Sequence, residues 1–319
     1  MPSKTKARTG PDRSADPAEL EALIEEARQR ARSRRRRYLL AALAVGVAAV
    51  AVALVLAGGD EGAVTGSDTS PESFGVDAQS GVAQGTFTLG LRPDEGAGGQ
   101  AISGGTTIAF EGPFVASDEG TPQFDLALRW DESGGEPISF SLVAAESAGF
   151  IVLGDRAYQV SQEAFDQIRG AEVLSALEPG RWLEAGTSRA VDEGAGEVVS
   201  VLGRLDVGAL ASDLTRAVNG LGLERDVEAP GPSSLVERRL SFQSSPTGGL
   251  EGLALEVGWA GKSEEMGAFT STVSADIEFN ELDEPQGVQA PDGARPIETA
   301  DLREFPQELW GLVEFLQRP

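Results

Sequence analysis

From Val82 onward, apolar residues fall at every second position in one run after another. "GTFTLGL" places Phe87, Leu89 and Leu91 on one face, and "TTIAF" places Ile108 and Phe110. "FDLALRW" contributes Phe124, Leu126, Leu128 and Trp130, with Asp125 and Arg129 opposite, and "ISFSL" contributes Ile138, Phe140 and Leu142. "GFIVLGDRAYQV" reads as a hairpin turning at Gly154 and Asp155. The alternation returns late in the chain. "SLVERRLSF" offers Val236, Arg238, Leu240 and Phe242, and "LALEVGW" offers Leu253, Leu255, Val257 and Trp259. "FTSTVSADIEF" offers Val273, Ala275, Ile277 and Phe279. This is the signature of antiparallel strands with one apolar face and one wet face.

A helical period interrupts the alternation in the middle. "SQEAFDQIRGAEVLSAL" has Ser161 as N-cap and Phe165, Ile168, Leu174 and Leu177 as apolar positions, which predicts a helix over Ser161–Leu177. "DVGALASDLTRAVNGLG" has Leu210, Leu214 and Val218 at helical spacing. Asp206 can cap it and Gly220 or Gly222 can end it, so Val207–Asn219 is predicted helical. "EVVSVLGRLD" between them reads as a strand. "DLREFPQELWGLVEFLQ" reads as a short closing helix interrupted near Pro306. The sum is about nine strands and two or three helices, with no fixed-period repeat. An α+β fold follows: a curved antiparallel sheet, a half-barrel, wrapped around the helices that cover its apolar face.

Upstream of the alternating region the pattern is different. Tyr38–Ala57 is a 20-residue run without charge. As a helix it spans about 30 Å, the thickness of a bilayer's hydrocarbon core. Seven arginines between Arg28 and Arg37 abut one end. The run is too long for the apolar part of a cleavable export signal, and a retained transmembrane anchor is expected, with cleavage after Ala57 as the alternative. The flanking arginines put the amino terminus in the cytoplasm. Residues 1–37 hold 11 basic and 6 acidic side chains, which leaves 15 basic and 45 acidic in residues 38–319. The expected organisation is a basic cytoplasmic tail at 1–37, the anchor at 38–57, a Gly- and Ser-rich linker at 58–81, and one extracytoplasmic domain at 82–319. The tail carries its own helix signal, Asp16 as cap with Leu20, Leu23, Ile24 and Ala27 on one face. It reads as an extension of the span or, alternatively, as a docking helix for a cytoplasmic partner.

Composition narrows the chemistry. Cysteine and histidine are absent. That excludes disulfides, thiolate and Ser-His nucleophiles, and zinc sites built from Cys or His. A net charge of −25 argues against nucleic acid. The acidic pairs Asp192/Glu193 and Glu281/Asp283/Glu284 lie in turn-like contexts and read as solvated loops, although such pairs also serve glycoside hydrolysis or Ca²⁺ binding. No cofactor, metal or catalytic set is expected, and the chain is read as a non-enzyme.

Four phrases carry a resemblance. They are "TIAFEGPFVASDEGTPQFDLALRW", "GFIVLGDRAYQVSQEAFDQI", "RWLEAG" at Arg181–Gly186, and "IEFNELDEPQGVQAPDGARPI". Their order over Val82–Ile297 resembles the LolA-like half-barrel superfamily, in particular its LppX/LprG-type envelope lipoproteins. The resemblance implies a cavity that takes acyl chains in a bacterial cell envelope. No lipobox cysteine is present, so the transmembrane run would replace the lipid anchor. The pocket candidates are the large residues of the apolar face: Phe87, Phe110, Phe124, Leu126, Leu128, Trp130, Phe140, Leu255, Val257, Trp259 and Ile277. The expected function is a membrane-anchored, extracytoplasmic binding domain for a lipid or other hydrophobic ligand. The alternative is an envelope sensor or interaction module that signals to a cytoplasmic partner through the tail.

The anchor reading makes a direct prediction. Intact-mass analysis of membrane-extracted protein should return the whole chain, whereas a mature amino terminus at Gly58 would identify the run as an export signal.

Overall fold

The computed structural model of the chain describes residues 80–93, 104–115, 123–132, 135–145, 148–169, 179–184, 189–192, 199–220, 234–244, 250–263, 267–298, 301–306 and 309–317. The expected tail helix and the anchor Tyr38–Ala57 lie outside them. Among the described residues no helix is long and apolar enough to cross a membrane.

The architecture is mostly β, one curved open sheet with few helices. Its strands are β1 (Ser80–Pro93), β2 (Gly104–Val115), β3 (Gln123–Glu132), β4 (Ile138–Ala145), β5 (Ala148–Leu153), β6 (Arg156–Gln159), β7 (Arg189–Asp192), β8 (Val199–Gly203), β9 (Leu235–Ser244), β10 (Leu250–Ser263), β11 (Gly267–Asn280) and β12 (Arg295–Pro296). Across the sheet the order is β12, β6, β5, β4, β3, β2, β1, β11, β10, β9, β8, β7. The β12–β6 pair is parallel and the others are antiparallel. The count exceeds the nine or so strands expected because the hairpin segment is two strands, β5 and β6, and because β7 has four residues and β12 two, one of them proline. Neither is long enough to show alternation.

Both predicted inner helices form, with the predicted caps. Helix α1 (Gln162–Arg169) starts where the Ala164 N–H donates to Ser161 Oγ at 3.2 Å. The rest of the expected helix, residues 170–177, lies outside the described set. Helix α2 (Val207–Gly220) starts with Asp206 Oδ1 accepting from the Gly208 and Ala209 N–H groups at 2.9 and 3.0 Å. A 3₁₀ turn at Asp301–Arg303 and helix α3 (Trp310–Leu316) close the chain on either side of Pro306.

Pairing fixes which residues share a face, since directly opposed residues point the same way. One row runs Ile277, Gly85, Phe110, Leu128, Phe140 from β11 to β4, and the next runs Ala275, Phe87, Ile108, Trp130, Ile138. Gly85 makes room in its row: a Cβ there would stand 2.8 Å from the Phe110 ring and 2.5 Å from the Asp276 carbonyl oxygen. The face is covered at its β5–β6 flank by α1, whose Phe165 ring sits where a Gly149 side chain would be, 2.6 Å from a Cβ built there. Helix α3 joins α1 through the Ser161 N–H, which donates to the Leu316 carbonyl at 3.0 Å.

Two expectations are corrected. Val236 does not continue the alternation of β9. The register shifts between Gly258 and Trp259, so Leu235 opposes Trp259 and Val236 turns out to solvent, 63% exposed. The opposite face of the sheet is not wholly wet either. Val143, Ala145 and Phe150 form a second buried cluster, with Val288 and Ala294 of the segment after β11 packed on it. The apolar stretches "LVAA" and "FIV" supply that outer cluster, and an alternation count assigns only half of each.

Gly85→Val should destabilise the domain by about 1–3 kcal/mol or more, since the new side chain meets a backbone carbonyl as well as a ring. Urea unfolding with an unchanged slope is the measurement, and a midpoint equal to the parent's would contradict this packing.

Candidate functional site

All eleven candidate residues lie on the same face of the sheet. They divide by exposure. Phe87, Phe110, Leu126, Leu128, Trp130, Phe140, Val257 and Ile277 are buried. Phe124, Leu255 and Trp259 are half-buried. Leu128 is flanked across the strands by Phe110 and Phe140, and the middle of the face is packed side chain against side chain.

Of the half-buried candidates, Phe124 lies between Phe114 and Ala144 at one end of the face, and Leu255 and Trp259 lie toward the other. Val257 opposes Val273, and Val273 opposes Leu89, which opposes Thr106, so these form the next row beyond Phe87. Val273 and Leu89 are half-buried. One row further, Trp259 opposes Ser271, and Gly261 opposes the half-buried Phe269. The apolar face therefore continues past its packed middle into a belt of Leu89, Val273, Trp259 and Phe269 with partial exposure, which the half-buried Leu255 of the Phe87 row adjoins. Alternation marked Leu89 and Val273 as members of the face. It gave no reason to rank them above the larger aromatics.

Trp130 adds a polar feature to the packed part. Its side chain is 2% exposed, and its indole N–H has no hydrogen-bond partner among the described residues. The other buried indole is satisfied. Trp182, in the 3₁₀ turn Pro179–Trp182, donates from Nε1 to Asp213 Oδ2 at 2.7 Å, and Arg216 caps the other carboxylate oxygen. Asp213 is completely buried on α2, so this pair ties the turn to that helix. The Trp182 carbonyl accepts from the Asp206 N–H, and Leu183 bridges Leu205.

The adjoining Glu184 reaches the sheet. Its Oε2 lies 3.2 Å from an Arg238 nitrogen and 3.7 Å from Arg204 Nε. Arg238 opposes Val257, so its side chain belongs to the apolar face.

A second titratable cluster sits at the other flank. The Tyr158 hydroxyl donates to Glu304 Oε2 at 2.5 Å, Arg156 meets the same oxygen at 2.5 Å, and Arg295 lies over the Tyr158 ring at 5.1 Å. Arg295 also forms a two-pronged pair with Asp301 at 2.6 and 3.1 Å, and the Tyr158 and Phe305 rings are 4.9 Å apart. Hydrogen bonding from Tyr158, then from Arg156, holds the Glu304 carboxyl below its ordinary range. The Glu298 N–H, then Arg295, does the same for Asp301. This network fastens the carboxy-terminal segment to β6. The acids after β11 behave as solvated turn residues: Glu281, Asp283 and Glu284 are exposed, and no group of acids among the described residues is arranged to hold a metal. The side chains of Asp192 and Glu193 lie outside the described residues.

No family model and no curated protein matches this sequence. Among solved structures, the chain is similar to lipovitellin in a structure titled for its lipid–protein interactions, at 7% identity and a TM-score of 0.32. That match covers 68% of this chain and 27% of the other, so the chain spans about a quarter of lipovitellin's length. It is also similar to a β-barrel-like protein of a domain of unknown function from Brucella abortus, at 10% identity and a TM-score of 0.15, over 66% of this chain and all of that one. Superpositions at these scores carry no argument about function.

The Glu304–Asp301 latch gives a pH prediction. Both carboxyls are depressed in the folded state, so their contribution is complete above the unfolded values, about pH 4–5, and is lost as pH falls through the lower folded values. The double variant Arg156→Gln/Arg295→Gln should melt below the parent at pH 7, and the gap should narrow progressively as pH falls below about 4. A gap that stays constant across this range would remove the latch from the account.

Proposed function

We propose that this chain is a non-catalytic binding domain for a hydrophobic ligand of the lipid class, taken up along the half-buried belt of its apolar face. The observation that supports this most is the continuity of the face. Where its packing stops it runs on through half-buried Leu89, Val273, Trp259 and Phe269, with the polar Thr106 and Ser271 among them. Burying an acyl chain there is driven by about 0.8 kcal/mol per methylene and needs no reactive side chain. The lack of histidine and cysteine suits such a role, as does the resemblance to LolA-like half-barrels. In this reading the run Tyr38–Ala57 tethers the domain outside the cytoplasmic membrane, near the source of its ligand.

The test is equilibrium binding of a fluorescent acyl probe with an uncharged head to the full chain. Leu89→Asn and Val273→Asn should each weaken uptake about tenfold by placing an amide in the belt. Thr272→Asn, one residue away on the exposed opposite face, should leave it unchanged. Wild-type protein that takes up no probe would end the proposal.

A further inference from the structure

The row of the apolar face that holds Leu89 carries two charged side chains, Glu132 across from Thr106 on β3 and, beyond Val273 and Val257, Arg238 on β9, which is the cation. Arg238 stands directly across from Val257, two strands from Val273 and three from Leu89, and its side chain is 25% exposed. Among the described residues, Glu184 is the one carboxylate within ion-pair distance of it. That contact is loose. Glu184 Oε2 is 3.2 Å from the guanidinium without hydrogen-bond alignment, and Arg204 draws on the same oxygen from 3.7 Å. A guanidinium has five N–H donors in a planar fork that matches a carboxylate edge to edge. Among the described residues, that single contact leaves most of the fork unused.

The position matters as much as the chemistry. Strands lie about 4.8 Å apart, so Arg238, Val257, Val273 and Leu89 form a line of roughly 14 Å with a cation at one end and apolar side chains along the rest. In a chain of net charge −25, a cation beside an open apolar belt is out of keeping with its surroundings. It is complementary to one kind of molecule, an acyl chain that ends in a negative group. One partly engaged guanidinium matches the single charge of a carboxylate.

We propose that Arg238 anchors the head of a fatty-acid-type ligand, a single acyl chain ending in a carboxylate, whose tail lies along Val257, Val273 and Leu89. The assignment rests on the lipid-binding reading above and specifies its ligand class. Glu184 then acts as the counter-ion that holds Arg238 in place and gives way to the ligand carboxylate.

The experiment compares a fluorescent fatty acid with its own methyl ester on the full chain, at about pH 8, where the acid is ionised. The wild type should bind the acid about tenfold or more tightly than the ester, the difference expected of a charge-assisted hydrogen bond. Arg238→Leu should abolish that preference while keeping the ester's affinity. Glu184→Gln should tighten binding of the acid alone. Equal binding of acid and ester by the wild type would overturn the assignment while leaving lipid binding intact. If neither probe binds, the underlying reading fails and this one with it. Loss of both probes in a folded Arg238→Leu variant would make Arg238 a structural residue and also overturn the assignment. Should that variant not fold, the wild-type preference and the Glu184→Gln response decide the matter.

Discussion

Twelve strands side by side expose far more apolar surface than any single helix of this chain can shield, and water must be kept from that surface for the sheet to persist. The solution uses separate covers drawn from distant parts of the sequence. At one flank, Phe165 of α1 packs over Gly149, and the carboxy-terminal segment brings Phe305 against Tyr158. Beside the other flank, Trp182 and α2 form a unit that meets the sheet through Glu184 and Arg238. A third segment, after β11, lays Val288 and Ala294 on the outer face. The belt around Leu89, Val273 and Trp259 is only half shielded by the described residues, which makes it the place to look for a ligand.

The attachments differ in kind. Phe165 on Gly149 is a contact of shape, insensitive to salt or pH. The Tyr158–Glu304–Arg156 cluster is charge at a partly wet surface, and Asp213 is charge removed from water altogether. A buried carboxylate is tolerated only when its oxygens are engaged, and here one accepts from Trp182 and the other from Arg216. Such a pair adds direction more than strength. It specifies which way the 3₁₀ turn and α2 face each other, something hydrophobic contact alone leaves open.

How much of this was legible beforehand follows from the range of each interaction. Side-chain alternation and helix caps are local. The face membership of Phe87, Phe110, Trp130 and Ile277, and the caps Ser161 and Asp206, could accordingly be read from neighbouring residues. The outward turn of Val236 depends on a register slip against β10, and β12 exists only because β6 lies beside it. Which face residues are packed and which are half-exposed is decided by the covers, so Leu89 could not be told from Phe87 by pattern. Arg238 was visible as a member of the alternating face. Its significance depends on Glu184, more than fifty residues away, and no local signal connects them.

The central position of β1 has a bearing on how the chain acquires its structure. Its two neighbours are β2, which follows at once, and β11, where Val82 is paired with Asn280. A chain emerging from its amino end can assemble β1 to β6 early. It must then keep the other edge of β1 unpaired until Gly267–Asn280 has been made. Through that interval an open strand edge and half of an apolar face stand together, the combination that invites pairing with another chain. Completion of the sheet is a late, long-range event, and such events are slow. Truncation anywhere before Gly267 would therefore leave more than a shortened domain: it would leave the first strand permanently without its second partner.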